Sequence, residues 1–157
     1  MSATDIVTLA QAKKQLNIDV SNTTSDAELS EVFIPAVTEA VEEKAGKVIN
    51  RSVTEVFDGG RAVLLLTSIP VVSITSVSEA GIALAAGACV VDQNSGVLTR
   101  VSGVSPMPFL PGVQSVSVTY VAGQAADVTA VAGNVRLAAL IILQHMWETQ
   151  RPAAAGP

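Results

Sequence analysis

The chain has 157 residues, the size of one domain at about 100–200 residues per domain. Hydrophobic residues make up 49% of it and charged residues only 15%, with a mean hydropathy of +0.48. That balance excludes general disorder, which needs low hydrophobicity and high net charge. The formal charge of −5 excludes the basic face of a general nucleic-acid binder, whose affinity comes mostly from phosphate neutralisation.

One cysteine, Cys89, leaves no internal disulfide framework and no cysteine-built zinc site. The longest charge-free run, residues 101–126, is interrupted by three prolines, and the apolar stretch Leu137 to Trp147 is 11 residues long. A span needs about 20, so no membrane segment is expected. The first residues lack the basic start and apolar run of a secretory signal, so a cytoplasmic protein is expected. High hydropathy without a span points to apolar surface buried between subunits.

The elements read as helices, then strands, then a helix. Thr8 to Leu16 is a short helix, capped by Thr8 with Gln11 three residues later. A polar linker, residues 17–24, follows. The Ser25–Glu28 run reads as a capping box opening a second helix, with Leu29, Phe33, Val37 and Val41 on its apolar face and Gly46 at its end. Pro35 falls inside that helix and predicts a kink near Glu31.

Residues 52–57 and 61–67 read as strands flanking Asp58-Gly59-Gly60, a hairpin signal. Residues 71–79 alternate as a half-wet strand, with Val72 and Ile74 opposed to Ser73 and Thr75, until the alternation slips at Ser76. Residues 89–92 and 96–101 flank a second turn, Gln93-Asn94-Ser95. Residues 102–112 carry Pro106, Pro108 and Pro111 and predict a loop, an extended arm ordered against another subunit or ring. Residues 113–121 alternate again, with Val116, Val118 and Tyr120 on one face. Asn134 reads as the cap of a last helix, residues 135–150, ended by Pro152. Leu137 to Leu143 is apolar on every side, so this helix needs cover on several sides.

The expected fold class is therefore α+β: N-terminal helices and a C-terminal helix packed with a small antiparallel β-sandwich or barrel-like sheet. The expected organisation is one domain over residues 1–151, with a helical part (7–50), a β-rich part (52–121), the last helix (134–151) and a flexible tail (152–157).

No residue set calls for catalysis. Cys89 lies in a predicted strand with no base signalled nearby, and reads as packing. His145 is the only histidine; it cannot build a multi-histidine metal site and reads as a hydrogen-bonded or interface residue. The run Asp92 to Gly96 faintly echoes a calcium loop but has Gly103 at the twelfth position. Gly59-Gly60 has no Walker lysine arrangement. No cofactor and no enzyme activity are expected.

The order of landmarks resembles the head–tail connector, or adaptor, proteins of long-tailed bacteriophages. The residues that carry the resemblance run from Val7-Thr-Leu-Ala-Gln-Ala-Lys-Lys-Gln-Leu16 and the helix ending in Gly46-Lys-Val-Ile-Asn-Arg51 to the strand Ser68-Ile-Pro-Val-Val-Ser-Ile-Thr-Ser-Val77. They continue through Val90-Val-Asp-Gln-Asn-Ser-Gly-Val-Leu-Thr-Arg100, Val116-Ser-Val-Thr-Tyr-Val-Ala-Gly123 and the helix from Val135 to Arg151. Where the family's last helix usually opens near a proline, this chain has Ala132-Gly133-Asn134.

The resemblance implies a virion protein of the head–tail junction, assembled in the bacterial cytoplasm. Its copies form a ring, commonly of twelve, under the portal protein. DNA passes through the ring without specific binding, and the next connector, stopper or tail protein binds the far side. On this reading Gln144, His145, Trp147, Glu148, Gln150 and Arg151, with Pro106 and Phe109, are the candidate portal or subunit contacts; the alternative for Trp147 is that it caps the domain's own core. Glu39, Glu42 and Glu43 are the candidate lumen residues. The alternative is a β-rich binding module of a tail or surface-adhesion protein.

Overall fold

A computed structural model describes residues 4–150; Arg151 and the expected tail lie outside the described residues. The chain divides into two compact units. One takes the residues up to Ile49 and from Ala125 onward, and the other is Asn50–Gln124. The α+β class holds, with the helical part and the last helix sharing the first unit and the β-rich part forming the second.

In the helical unit, α1 (Leu9–Gln15) starts as its sequence predicts. The Thr8 hydroxyl accepts the Gln11 N–H at 3.2 Å and the Gln11 side chain accepts the Thr8 N–H at 2.9 Å. The second capping box does not form. Ser25 sits at φ −108°, ψ 8°, away from the extended geometry of an N-cap, and its side chain makes no cap bond. From there α2 (Asp26–Glu28), a π-helical turn (Leu29–Phe33) and α3 (Ile34–Ala45) run on continuously. The wide turn is the local answer to Pro35. The Ile34 N–H reaches back five residues to the Leu29 carbonyl, and the helix takes the proline through a π turn in place of the predicted kink at Glu31. α3 stops at Gly46, with φ 75°.

Two polar anchors tie the N-terminal segment to this helix. The Thr38 hydroxyl accepts the Ile6 N–H at 3.3 Å while donating to the Ile34 carbonyl at 2.9 Å. Lys13 is buried; its ammonium donates to the Val20 carbonyl at 3.0 Å and pairs with Asp26, folding the polar linker back. Ile6, Val7, Ile34, Val37, Val48 and Ile49 build the core with Ala139 and Leu143 of α4 (Gly133–Gln150).

The β unit holds two antiparallel sheets. One has the order β1 (Arg51–Phe57), β8 (Val116–Ala122), β3 (Val71–Glu79), β4 (Ile82–Ala83). The other has β2 (Val63–Leu65), β6 (Val97–Ser102), β5 (Cys89–Val91), with β7 (Ser105–Pro106) also on β6. Their inner faces share one core of Leu64, Leu66, Val77, Leu98, Val118 and Tyr120 among others, so the arrangement is a sandwich. β8 alternates as its sequence predicts: Val116, Val118 and Tyr120 are fully buried. The slip at Ser76 is a bulge in β3, with a register shift between Ile74 and Ser76, and a second shift lies between Val71 and Ser73. That second shift turns Val71 inward and leaves Val72 exposed, reversing the expected face at that end.

Asp58-Gly59-Gly60 is not a hairpin. β1 pairs with β8 and β2 with β6, so the turn carries the chain from one sheet to the other. Its backbone is satisfied by the proline-rich loop: the Gly59 N–H donates to the Gly112 carbonyl and the Gly60 N–H to the Phe109 carbonyl. The approach is so close that a Cβ on Gly59 would lie 1.7 Å from the Leu110 carbonyl oxygen. The predicted Gln93-Asn94-Ser95 hairpin does form, between β5 and β6. There Asp92 accepts the Asn94 and Ser95 N–H groups, a turn-forming role that accounts for the run resembling a calcium loop.

Candidate interaction surfaces

Along α4 the sequence places the docking surface at the distal turn, and the structure redistributes those residues. The Trp147 ring packs on Phe33 of its own unit, centroids 5.1 Å apart and planes inclined at 59°. Gln144 accepts a hydrogen bond from Gln15 at 2.7 Å and donates to Glu148 at 2.8 Å. Trp147 and Gln144 thus serve the unit's own packing, whereas His145, Glu148 and Gln150 are exposed. Arg151 lies outside the described residues.

The first half of α4 is covered by its own unit only in part. Only Ala139 and Leu143 are fully buried, and Leu137 and Ile141 are 57% and 56% exposed. The unit covers one side of this apolar helix and leaves another bare. Beside the bare stripe an open groove of about 350 Å³ runs between α3 and α4, lined by Ala40, Val41, Ala45, Val135, Ala138 and Ile142. Asn134 lies inside the helix, one residue after its start, and accepts the Val135 N–H. The start is held instead by Arg136, whose guanidinium donates to the Val128, Thr129 and Val131 carbonyls at 3.0–3.1 Å.

The three candidate lumen acids also separate. Glu39 and Glu43 are exposed, and Glu43 pairs with Lys44 at 2.8 Å. Glu42 is occupied by structure: it accepts the Val48 N–H at 3.1 Å and faces Lys47 at 3.7 Å, its side chain 7% exposed. It stitches the turn after α3 and offers no free acid surface.

In the β unit the proline-rich loop is not a free arm. Phe109 is fully buried in its own unit's core, which removes it as a contact residue. The loop is clamped by an ion pair the sequence reading missed. Arg100 meets Glu79 at 2.8 Å, both side chains largely buried, and donates to the Pro108 carbonyl at 2.6 Å. The Leu110 N–H donates to Glu79 at 3.1 Å, and the Arg100 guanidinium stands 5.8 Å above the Phe109 ring. Arg100 and Glu79 lie on different strands of different sheets, and no spacing rule joins them. Pro106 remains exposed, beside Val101.

The register defines two outer faces on this sandwich. Across β1, β8 and β3 the outward rows are Ser52–Val121–Ser73, Thr54–Thr119–Ser76 and Val56–Ser117–Ser78. These nine positions carry seven hydroxyls and no charge, with the Thr54 and Thr119 hydroxyls 2.9 Å apart. The opposite outer face is aliphatic. Val63, Thr99 and Val90 form one row, Leu65 and Val97 the next, and Val101 with Pro106 a third. Val63, Leu65 and Val90 are 47%, 63% and 59% exposed.

Cys89 is half-buried against the sandwich core, and burial pushes its thiol above the usual value, with Arg100 opposing. It has the environment of a packing residue. Cys89 and His145 belong to different units. Among the described residues no group of three or more His, Cys, Asp or Glu side chains is placed to hold a metal ion, and no helix is long and apolar enough to cross a membrane.

In chain order, N-terminal helices, an antiparallel sandwich and a C-terminal helix define the fold class, and solved structures share it over 97–100% of the chain. No family model and no curated protein matches the sequence. A chain in the neck of an empty gene transfer agent particle, computed with C6 symmetry, aligns with a TM-score of 0.77 and 20% identity, covering 99% of this chain and 86% of that one. A chain of the native gene transfer agent virion aligns at 0.74 and 18% identity, covering 97% and 83%. A third, from the native neck computed with C12 symmetry, aligns at 0.71 and 18%, covering 100% and 88%. The fold of this chain is the fold of those neck chains.

Proposed function

We propose that this chain is a structural component of the neck of a tailed, phage-like particle: a head–tail connector whose copies form a ring under the portal and join capsid to tail around a DNA passage. The observation that carries the reading is the likeness to neck chains over 97–100% of this chain, with TM-scores of 0.71–0.77. The ordered landmarks from Val7 to Arg151 support it independently. A ring of copies is supported by the symmetric assemblies, C6 and C12, in which the similar chains occur. The charge of −5 suits a protein that surrounds DNA without gripping its phosphates. The role is structural rather than catalytic.

The test is assembly. Mixed with purified portal rings and imaged by electron microscopy, the chain should add a ring of density to one end of the portal. Portal rings that stay bare at saturating concentrations of the chain would overturn the reading.

A further inference from the structure

The two outer faces of the β unit carry an inference that rests on the ring reading above. A closed ring is built by a head-to-tail contact, in which one surface of each copy meets a different surface of the next. With twelve copies the rotation per step is only about 30°, so the two surfaces must lie on nearly opposite sides of the unit that makes the contact. The outer faces of a two-sheet sandwich stand back to back by construction.

Their chemistry points the same way. Sheet faces left in water ordinarily carry charged side chains. Here the nine positions of the hydroxyl face hold none, and the aliphatic face exposes Val63, Leu65 and Val90. Depletion of charge is the mark of an interface core. A phosphate backbone would find no cation on either face. We propose that successive copies of this chain contact each other through their β units, the hydroxyl face of one against the aliphatic face of the next.

Two outward substitutions test this, Ser76→Lys on the hydroxyl face and Val90→Lys on the aliphatic face, so that the two altered faces also repel each other. Both side chains are exposed in the single chain, so each variant should melt within a few degrees of the wild type. Each variant alone should lose complete rings, both on the portal and in sedimentation at concentrations where the wild type assembles. An equimolar mixture should give pairs and stop there, because the intact aliphatic face of one variant meets the intact hydroxyl face of the other. Complete rings from either single variant, or a mixture that stays monomeric, would overturn the assignment of faces while leaving the ring itself standing. A wild-type chain that forms no ring even on the portal would overturn the ring reading.

Discussion

The Trp147 indole lies tilted on the Phe33 ring, 5.1 Å between centroids, and so joins the last turn of α4 to the π-helical turn 114 residues earlier. An aromatic contact of this geometry contributes beyond the area it buries. Trp147→Ala should therefore act on stability first, costing about 2–3 kcal/mol, below the 3–5 kcal/mol of a fully buried aromatic because the side chain is only half-buried. Urea unfolding followed by circular dichroism checks this. An unchanged midpoint together with lost portal association would return Trp147 to the docking role.

The proline-rich loop should behave as part of the β core. Phe109→Ala should cost about 3–5 kcal/mol. Glu79→Ala should cost a similar amount, because it leaves Arg100 buried without its partner. A melting temperature that barely moves in either variant would show the loop to be a detachable arm after all.

Gly59→Ala should be destabilising by about 1–3 kcal/mol, the range for overpacking. The obstacle is backbone, the Leu110 carbonyl, and it cannot swing aside as a side chain would. Gly87→Ala is a poor control because its φ of 84° adds strain of its own, whereas Gly133 has open space and an unremarkable φ. Thermal melting of Gly59→Ala against Gly133→Ala separates close approach from a generic glycine effect.

These cases show what local sequence can and cannot carry. The Thr8–Gln11 box, the alternation of β8 and the bulge at Ser76 are written in neighbouring residues, and each was legible. Asp58-Gly59-Gly60 reads as a turn correctly, but turn chemistry does not say which strands the turn joins; β1 finds its partner some 65 residues later. Pro35 announces a disturbance, and only the packing of Leu29 and Phe33 into the unit decides between a kink and a wide turn. Among the candidate contacts the misplacements have one cause. Trp147, Gln144, Glu42 and Phe109 are outward candidates only on the connector resemblance, and each has a partner distant enough in sequence, or a role in a turn specific enough, to escape pattern reading.

Acid should probe the Glu55 cluster. Burial pushes the Glu55 carboxyl up, but hydrogen bonds from Thr67 and Tyr120 outweigh it and hold the group below the usual glutamate value. A depressed folded value means stability present above the unfolded value of about 4.3 and lost as pH falls through the folded one. Tyr120→Phe removes one donor, so the Glu55 carboxyl should titrate closer to its ordinary value and the loss of stability below about pH 4 should flatten. Carbon-detected NMR titration of Glu55 in both proteins reads this directly; identical midpoints would remove Tyr120 from the account.

Duplex DNA should bind the isolated chain no more tightly than about 10⁻⁴ M at physiological salt, the weak end of non-specific binding. Fluorescence anisotropy with a labelled duplex measures it. Micromolar, salt-sensitive binding would contradict a passage that does not grip.

The chain enters the β unit at Asn50 and leaves it at Gln124, and the strands it uses, β1 and β8, are paired from Arg51↔Ala122 onward. At that doorway the Gly123 backbone presses on Asn50, leaving 2.6 Å between a would-be Cβ and the Asn50 nitrogen. The β unit thus begins and ends on two paired strands, so its two chain ends are neighbours. A gene segment encoding residues 50–124 therefore specifies one compact unit whose entry and exit are neighbours, so an insertion or exchange within it need not lengthen the path between the flanking helices.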